Sequence, residues 1–147
     1  MRRMAEVSDA KLVSAGGQYA GVEVPNGVTL YRIDGPLFFG AAQKAMQTFG
    51  EIGRESKVVI FDVSNVPAID ATGIVNLESA LLRLRSRNAL ALIVGAQPQP
   101  RTLIDGAELE KATGVVMCDD LPQAFDRAEG FMDTRTHSQA APPVRGD

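Results

Sequence analysis

The segment Ile69–Ile74 has the residue types best suited to bind a ligand or a partner protein. It supplies a carboxylate and a hydroxyl at the start of a strong helical pattern, followed by a glycine that allows another backbone to approach closely. The start of a helix offers free N–H groups and partial positive charge, which favour an anion or a phosphoryl group. Two interpretations stay open: a simple helix cap at Asp70 or Thr72, or an exposed binding loop formed by Asp70, Ala71, Thr72 and Gly73.

Most other chemistry is excluded by a shortage of suitable side chains. The sequence holds one histidine, His137, in a polar stretch near its C-terminus, and one cysteine, Cys118, which we interpret as a small buried hydrophobe. General-base catalysis needs a residue held in fixed geometry, and a zinc site needs several Cys or His ligands. The chain has neither the GxGxxG nor the GxxxxGKS/T pattern of phosphate-binding loops. We therefore expect no catalytic residue, no metal site and no enzymatic activity.

A second candidate surface lies at the end of the helix that follows the 70–73 loop. Leu82 falls outside the apolar stripe of that helix, so we expect it to be exposed and to mark an interface. Arg83, Arg85 and Arg87 crowd the C-terminal end of the helix, where positive charge suits the helix dipole. These arginines are either a solvated helix end or a docking patch for an acidic partner, and both interpretations stay open.

The elements around the 70–73 loop are predicted from hydrophobic periodicity. Residues 57–63 form a continuous β-branched and aromatic run, typical of a central strand covered on both faces. After the loop, apolar residues repeat at steps of three and four, which predicts an amphipathic helix with a buried stripe of Ile74, Leu77, Leu81 and Leu84. The loop therefore follows the carboxyl end of a buried strand, where we expect it to be accessible.

The rest of the chain alternates between strand and helix patterns. Residues 22–24 and 28–33 flank a Pro-Asn-Gly turn and predict an antiparallel edge hairpin. Further elements are predicted over 41–52, 89–94, 98–109, 115–117 and 121–132, with Asp120 as a helix cap in the last case. This alternation predicts an α/β domain with a mixed, mostly parallel sheet of four to five strands and four to five helices.

Composition limits the number of domains and the class of partner. A chain of 147 residues, 45% hydrophobic and 22% charged, is typical of one soluble globular domain with one sizeable core. A net charge of −3 argues against a nucleic-acid partner, and no apolar run approaches the roughly 18 residues of a membrane span, so we expect no membrane insertion by this chain. Residues 1–18 and 133–147 lack a hydrophobic period and are predicted to be flexible tails around a domain over residues 19–132.

Three segments together resemble the STAS domain family, whose name joins sulfate transporters with anti-sigma-factor antagonists. They are YRIDGPLFFGA at residues 31–41, VVIFDVSNVPAIDATG at residues 58–73 and VGAQPQP at residues 94–100. The Gly-Pro-Leu-Phe-Phe turn is similar to that of the cytoplasmic C-terminal STAS domains of bacterial SulP anion transporters. The resemblance covers about residues 21–131 and implies a STAS-like single domain. We expect Phe38 and Phe39 to be core anchors under the first helix, with the alternative that one of them faces outward as a contact point.

The resemblance also implies a function for the 70–73 loop. In the antagonist branch, a serine directly after the aspartate is phosphorylated, and its dephosphorylation permits binding to an anti-sigma kinase. Here that position is Ala71, which has no hydroxyl, so Thr72 is the remaining candidate phosphosite. The departure favours the transporter branch, some members of which are reported to bind nucleotides. We predict no cofactor, and the resemblance leaves nucleotide binding at the helix start, Thr72–Gly73, as the alternative.

The function implied is that of a regulatory, protein-interaction domain of a SulP-type transporter of sulfate or a related anion. Its expected partners are the transmembrane part of that transporter, fused or separate, and a cytosolic regulatory protein. Its expected location is cytoplasmic, at the inner face of the plasma membrane. The alternative is a freestanding antagonist that binds an anti-sigma factor through the 70–73 loop and the neighbouring helix.

Overall fold

The computed structural model describes residues 11–15, 18–19, 22–38 and 56–140. Strands and helices alternate through most of this part of the chain, as its patterns predict. In chain order the elements are β1 (Lys11–Ala15), β2 (Gln18–Tyr19), β3 (Val22–Glu23), β4 (Val28–Asp34), β5 (Val58–Asn65), α1 (Ala71–Ser86), β6 (Leu90–Val94), α2 (Pro98–Gly106), α3 (Leu109–Thr113), β7 (Val116–Cys118) and α4 (Leu121–Ala140).

Five of the strands form one sheet in the order β1-β4-β5-β6-β7. The four strands β4 to β7 are parallel, with Leu30, Ile60 and Leu92 side by side across the first three. β1 pairs antiparallel with β4 at one edge of the sheet. The predicted class, an α/β domain with a mixed and mostly parallel sheet, is confirmed. All four parallel strands end at the same edge, which collects the loops that follow them.

The sheet is covered on both faces, which explains why the first four residues of β5, residues 58–61, are all apolar. Val59 and Phe61 belong to one buried cluster, which includes the apolar stripe of α1. Val58 and Ile60 point into a second cluster on the other face, which includes Phe125 of α4. Because successive strand residues face opposite layers, a strand buried on both sides needs an apolar residue at almost every position.

Helix α1 follows its sequence pattern closely from start to end. Ile74, Leu77, Leu81 and Leu84 are buried, as the spacing predicts. The helix ends at Ser86 with Arg87 as its C-cap, and the next residue, Asn88, has a left-handed backbone with a φ of 62°. The N–H of Asn88 donates to Arg85 O and the N–H of Ala89 donates to Leu84 O, which satisfies two terminal carbonyl groups. A polar asparagine tolerates this conformation better than most side chains do.

The antiparallel edge of the sheet has a different partner strand from the predicted one. Val22–Glu23 pairs with Gln18–Tyr19 in a separate two-stranded sheet and does not pair with β4. β4 already has Lys11–Ala15 on one side and β5 on the other, so neither of its edges is open to the chain that precedes it. The turn at Gly27 instead joins β4 to the start of β5, because Gly27 O accepts hydrogen bonds from the N–H groups of Lys57 and Val58.

The boundaries of the two predicted tails also need correction. The tail over residues 1–18 contains strand β1, and the tail over residues 133–147 begins with the last eight residues of α4, which ends at Ala140. A strand of five residues, KLVSA, is too short to show a clear hydrophobic period, but it satisfies the edge hydrogen bonds of β4. A helix that is already nucleated gains one hydrogen bond for each added residue, so it continues past its apolar part.

Two further predictions concern the segment after β4. Phe38 is half-buried, so it is less enclosed than a core anchor. Phe39 and the helix predicted over residues 41–52 lie outside the described residues.

The predicted cap of the last helix is confirmed, because Asp120 Oδ1 accepts a hydrogen bond from the Gln123 N–H at 3.0 Å.

Candidate functional site

Three loops meet at the carboxyl edge of the sheet, where the candidate residues lie. They are residues 35–38 after β4, residues 66–70 after β5 and residues 95–97 after β6. The first two are joined by backbone hydrogen bonds: Leu37 N–H donates to Ala68 O at 3.0 Å, and Asp70 N–H donates to Leu37 O at 3.3 Å. The last residue of the loop after β5 and the first three residues of α1 are called the Asp70–Gly73 turn below.

Asp70 is the cap of helix α1. Its Oδ1 accepts a hydrogen bond from the Gly73 N–H at 2.8 Å, and its backbone carbonyl accepts the first helical bond, from Ile74. Thr72 lies inside the first helical turn, where its carbonyl accepts a hydrogen bond from the Asn76 side chain. Of the two predicted capping residues, the structure therefore selects Asp70.

The Asp70–Gly73 turn is only partly accessible. Ala71 is exposed, and Asp70 and Thr72 are half-buried. The expectation that all four residues are exposed is wrong for Gly73, which is buried. A Cβ atom at residue 73 would lie 2.3 Å from the Leu37 carbonyl oxygen, so glycine is required here by close packing against the neighbouring loop.

The capping carboxylate also changes what the helix start can bind. The Asp70 side chain places an acceptor at the amide end of α1, and the Gly73 N–H is already used by it. An anion or a nucleotide phosphate at the same place would compete for that donor and meet the acidic side chain. The geometry at Asp70 therefore disfavours an anion at the start of α1.

One face of α1 continues the turn along the surface. Ala71, Val75, Ser79 and Leu82 are exposed and lie at helical spacing on the side opposite the buried stripe. Val75 is 60% exposed and Leu82 is 43% exposed, and they are the large hydrophobic side chains found exposed in the described part of the chain. We call these four residues the α1 face. The predicted exposure of Leu82 is confirmed.

The arginines at the end of α1 are separated from the turn. Arg83, Arg85 and Arg87 are all exposed. A 16-residue helix is about 24 Å long, so they stand at the opposite end of the domain from Asp70. Arg85 Nη1 donates a hydrogen bond to Ala112 O at 2.9 Å, which ties that side chain to the end of α3. Their use as a docking patch stays a prediction.

Acidic residues near the ends of β4 and β5 hold the loops in place. Asp62 is buried and accepts hydrogen bonds from the N–H and the hydroxyl of Ser64 at 3.1 and 2.7 Å. Asp34 accepts hydrogen bonds from the side chains of Asn65 and Arg32. Within the described residues, no group of three or more His, Cys, Asp or Glu side chains is placed to hold a metal ion.

Sequence reasoning missed two glutamines that contact the chain leading into the turn. Gln97 Nε2 donates a hydrogen bond to Ser64 O at 2.8 Å, and Gln99 makes two hydrogen bonds to the backbone of Ile69. Both lie in the VGAQPQP segment, which contributes to the family resemblance without assigning a role to either glutamine. Their place in the chain could have indicated this role, because the segment follows β6, the strand next to β5, and therefore begins at the same edge of the sheet.

Comparison with known proteins decides the family. Residues 19–123 match the family model of the STAS domain. The chain belongs to the STAS domain family. A bicarbonate transporter of Synechocystis is 26% identical to this STAS domain over 133 residues, which make up 90% of the chain and 22% of the transporter. The chain spans between 15% and 22% of the length of the curated relatives it matches.

Solved structures similar to this STAS domain include domains of sulfate transporters and an anti-sigma factor antagonist. A sulfate transporter family protein from Wolinella succinogenes is 28% identical, with a TM-score of 0.69 over 80% of this chain and 97% of that one. The STAS domain of a SulP transporter from Vibrio cholerae is 25% identical, with a TM-score of 0.63 over 78% of this chain and 91% of that one. The anti-sigma factor antagonist SpoIIAA, at 15% identity, shares the fold with a TM-score of 0.57 over 82% of this chain and 99% of its own.

In the portions of this STAS domain that the structure describes, no helix has both the length and the apolar character needed to cross a lipid bilayer. The similarity to the bicarbonate transporter is thus a similarity to about one fifth of that protein.

Proposed function

We propose that this STAS domain is the non-catalytic regulatory and protein-interaction domain of a SulP-type transporter of bicarbonate, sulfate or a related anion. Its partner is the membrane-spanning part of the transporter, fused to it or separate, or a cytosolic regulatory protein, and its place is the cytoplasmic side of the plasma membrane. Support comes from the bicarbonate transporter of Synechocystis and the solved SulP STAS domain of Vibrio cholerae.

The α1 face is the observation that carries this proposal. Val75 and Leu82 are seven residues apart on one side of the helix, so they form two turns of an exposed apolar stripe. The stripe begins at Ala71, beside the polar groups of Asp70 and Thr72. An apolar strip with a polar rim is the composition of a protein contact surface, and it offers no enclosed cavity for a small substrate.

Ala71 favours the transporter function over a phosphorylation switch. It is exposed at the first position of α1, where the resemblance to antagonists places a phosphorylated serine. A methyl group accepts no phosphate, so contacts made by this turn cannot be switched there. Thr72 carries the nearest hydroxyl, but a phosphate on it would lie beside the Asp70 carboxylate and be repelled by it.

The second candidate function is that of a freestanding anti-sigma factor antagonist. The fold shared with SpoIIAA supports it. It uses the same surface, the Asp70–Gly73 turn and the α1 face, but its partner would be an anti-sigma factor. The two functions therefore differ in the identity of the partner and agree on the contact surface.

Anion uptake by cells tests the proposal. The transporter is expressed with this STAS domain in the arrangement of the host gene, and uptake of labelled bicarbonate and sulfate is measured. We expect the double variant Val75→Asp with Leu82→Asp to lower uptake several-fold at an unchanged level of membrane protein. The matched control is Arg127→Asp, which changes the net charge by the same amount on exposed α4 and should leave uptake unchanged.

Two results would overturn the proposal. Unchanged uptake in the double variant would show that the α1 face does not serve transport. Binding of the chain to a kinase-type anti-sigma factor, lost in the double variant and kept in the Arg127→Asp control, would establish the second candidate function instead.

A further inference from the structure

The residues just before the Asp70–Gly73 turn form one step of a β-ladder without belonging to a regular strand. On one side, Leu37 pairs with Ile69 in an isolated parallel bridge. The backbone groups used there belong to the flanking residues, because Ala68 O and Asp70 N–H bond to Leu37. In an extended chain, the N–H and C=O of the residue between them, Ile69, point to the opposite side. The N–H and C=O of Ile69 therefore need a partner on the opposite side.

The side chain of Gln99 is that partner. Its Oε1 accepts a hydrogen bond from the Ile69 N–H at 2.9 Å, and its Nε2 donates one to the Ile69 carbonyl at 3.0 Å. A primary amide carries the same donor and acceptor as a peptide group, so it completes the ladder as a neighbouring strand would. Ile69 itself is buried, which makes the pairing of its backbone groups necessary.

The loop that precedes Gln99, residues 95–97, is fastened close to the β5–α1 loop at a second place. Gln97 Nε2 donates to Ser64 O at 2.8 Å. Gly95 has a φ of 74°, and a Cβ atom there would lie 2.9 Å from the Ser64 Cβ. Glycine thus allows both the left-handed backbone and the close approach of the two loops. Gln99 lies in the first turn of α2, so the position of that helix relative to Ile69 is fixed.

We propose that Gln99 is a positioning residue that sets how the Asp70–Gly73 turn is presented to a partner. It holds Ile69 from the side of α2 while Leu37 holds the flanking residues from the other side. The turn is consequently fixed by both neighbouring loops before any partner binds. This inference rests on the proposed function for its purpose, since the turn is the proposed contact site.

Amide hydrogen exchange of the full chain, followed by NMR, tests the inference without any partner. In Gln99→Ala we expect the Ile69 amide to exchange roughly tenfold faster, because one hydrogen bond of ordinary net strength is lost. Amides in the middle of β5, such as that of Phe61, should keep their protection. The overall fold is thereby checked in the same spectrum.

The variant Gln99→Glu separates positioning from simple packing. Above pH 6 its carboxylate accepts the Ile69 N–H but repels the Ile69 carbonyl, so protection of Ile69 and the neighbouring turn should fall. Below about pH 4 the protonated acid again offers one donor and one acceptor, and protection relative to the unaltered chain at the same pH should return. The matched control is Gln123→Glu, because Gln123 Oε1 likewise accepts a backbone N–H, that of Asp119, at the start of α4.

Equal protection of Ile69 in Gln99→Ala and in the unaltered chain would overturn the inference. A Gln99→Glu variant without pH dependence, or with the same dependence as Gln123→Glu, would also overturn it. These outcomes are independent of the uptake experiment, because exchange is measured on the isolated chain. Failure of the proposed function would show instead as unchanged anion uptake.

Discussion

Gly73 and Asp70 define the geometry of the turn at the scale of single residues. Gly73 lets helix α1 begin directly against the backbone of Leu37. The Asp70 carboxylate accepts a hydrogen bond from the Gly73 N–H in the first turn of that helix. The sequence indicated both residue types but left their roles open. Sequence spacing alone does not show which of two neighbouring polar residues caps a helix, because the choice depends on where the preceding loop is held.

Replacing Gly73 by alanine should destabilise the protein by about 2–3 kcal/mol, because its Cβ would overlap the Leu37 carbonyl. Urea unfolding measures the change. The matched control is Gly130→Ala in α4, where the added Cβ would meet nothing within 4 Å beyond its chain neighbours and its own helix backbone. That variant should gain up to about 1 kcal/mol from helix propensity. Equal effects of the two substitutions would contradict the packing role of Gly73.

Asp70→Ala should cost about 1 kcal/mol of unfolding free energy, since it removes the cap of α1. Thr72→Ala should change that free energy by less than about 0.5 kcal/mol, because Thr72 makes no capping bond. Urea unfolding at neutral pH measures both changes in free energy. A larger loss in Thr72→Ala than in Asp70→Ala would contradict the assignment of the cap.

At the scale of elements, α1 has two opposite faces that the sequence distinguishes. Leu84→Ala should cost about 2–5 kcal/mol, because Leu84 is buried in the core. Leu82→Ala, the same substitution two residues earlier, should cost less than about 1 kcal/mol because its side chain is largely exposed. Thermal or urea unfolding of the pair measures the difference. Similar losses in both variants would contradict the assignment of the α1 face.

Elements with strong periodicity were predictable, and those defined by pairing were not. Helix α1 and strand β5 could be predicted because their apolar residues recur at 3.6-residue spacing or fill both faces of a sheet. Strand β1 and the bonds of Gln99 could not, because they satisfy backbone groups of distant segments and leave no local pattern. The contacts that position the candidate site belong largely to this second kind.

At the scale of the whole molecule, the sheet brings three loops to one edge and buries aromatic residues beneath α1. Tyr31 and Phe61 lie on adjacent strands with their ring centroids 6.2 Å apart. Burial raises the pKa of Tyr31 to about 12, and the positive charge of Arg87 opposes part of that rise. The folded chain thus favours the neutral phenol, so ionisation at high pH works against folding.

The unfolding free energy should consequently fall as pH rises. An unfolded tyrosine ionises near pH 10, whereas Tyr31 in the folded chain retains its proton to about pH 12. The folded state therefore binds more protons in this window, and stability decreases between pH 10 and pH 12. Urea unfolding at pH 9 and pH 11.5 measures the loss, and Tyr31→Phe should lose less. An equal loss in both chains would contradict the burial of the phenol.

Under the proposed function, the shared carboxyl edge and the α1 face together form the contact surface for a transporter. The most direct measurement places a photo-crosslinking amino acid at residue 75, on the α1 face, in cells that contain the SulP transporter. A control places it at the exposed residue 127 of α4. We predict a crosslink to the membrane-spanning transporter from residue 75 and none from residue 127. Equal crosslinking from the two positions, or a crosslink from residue 75 to an anti-sigma factor alone, would contradict the proposed function.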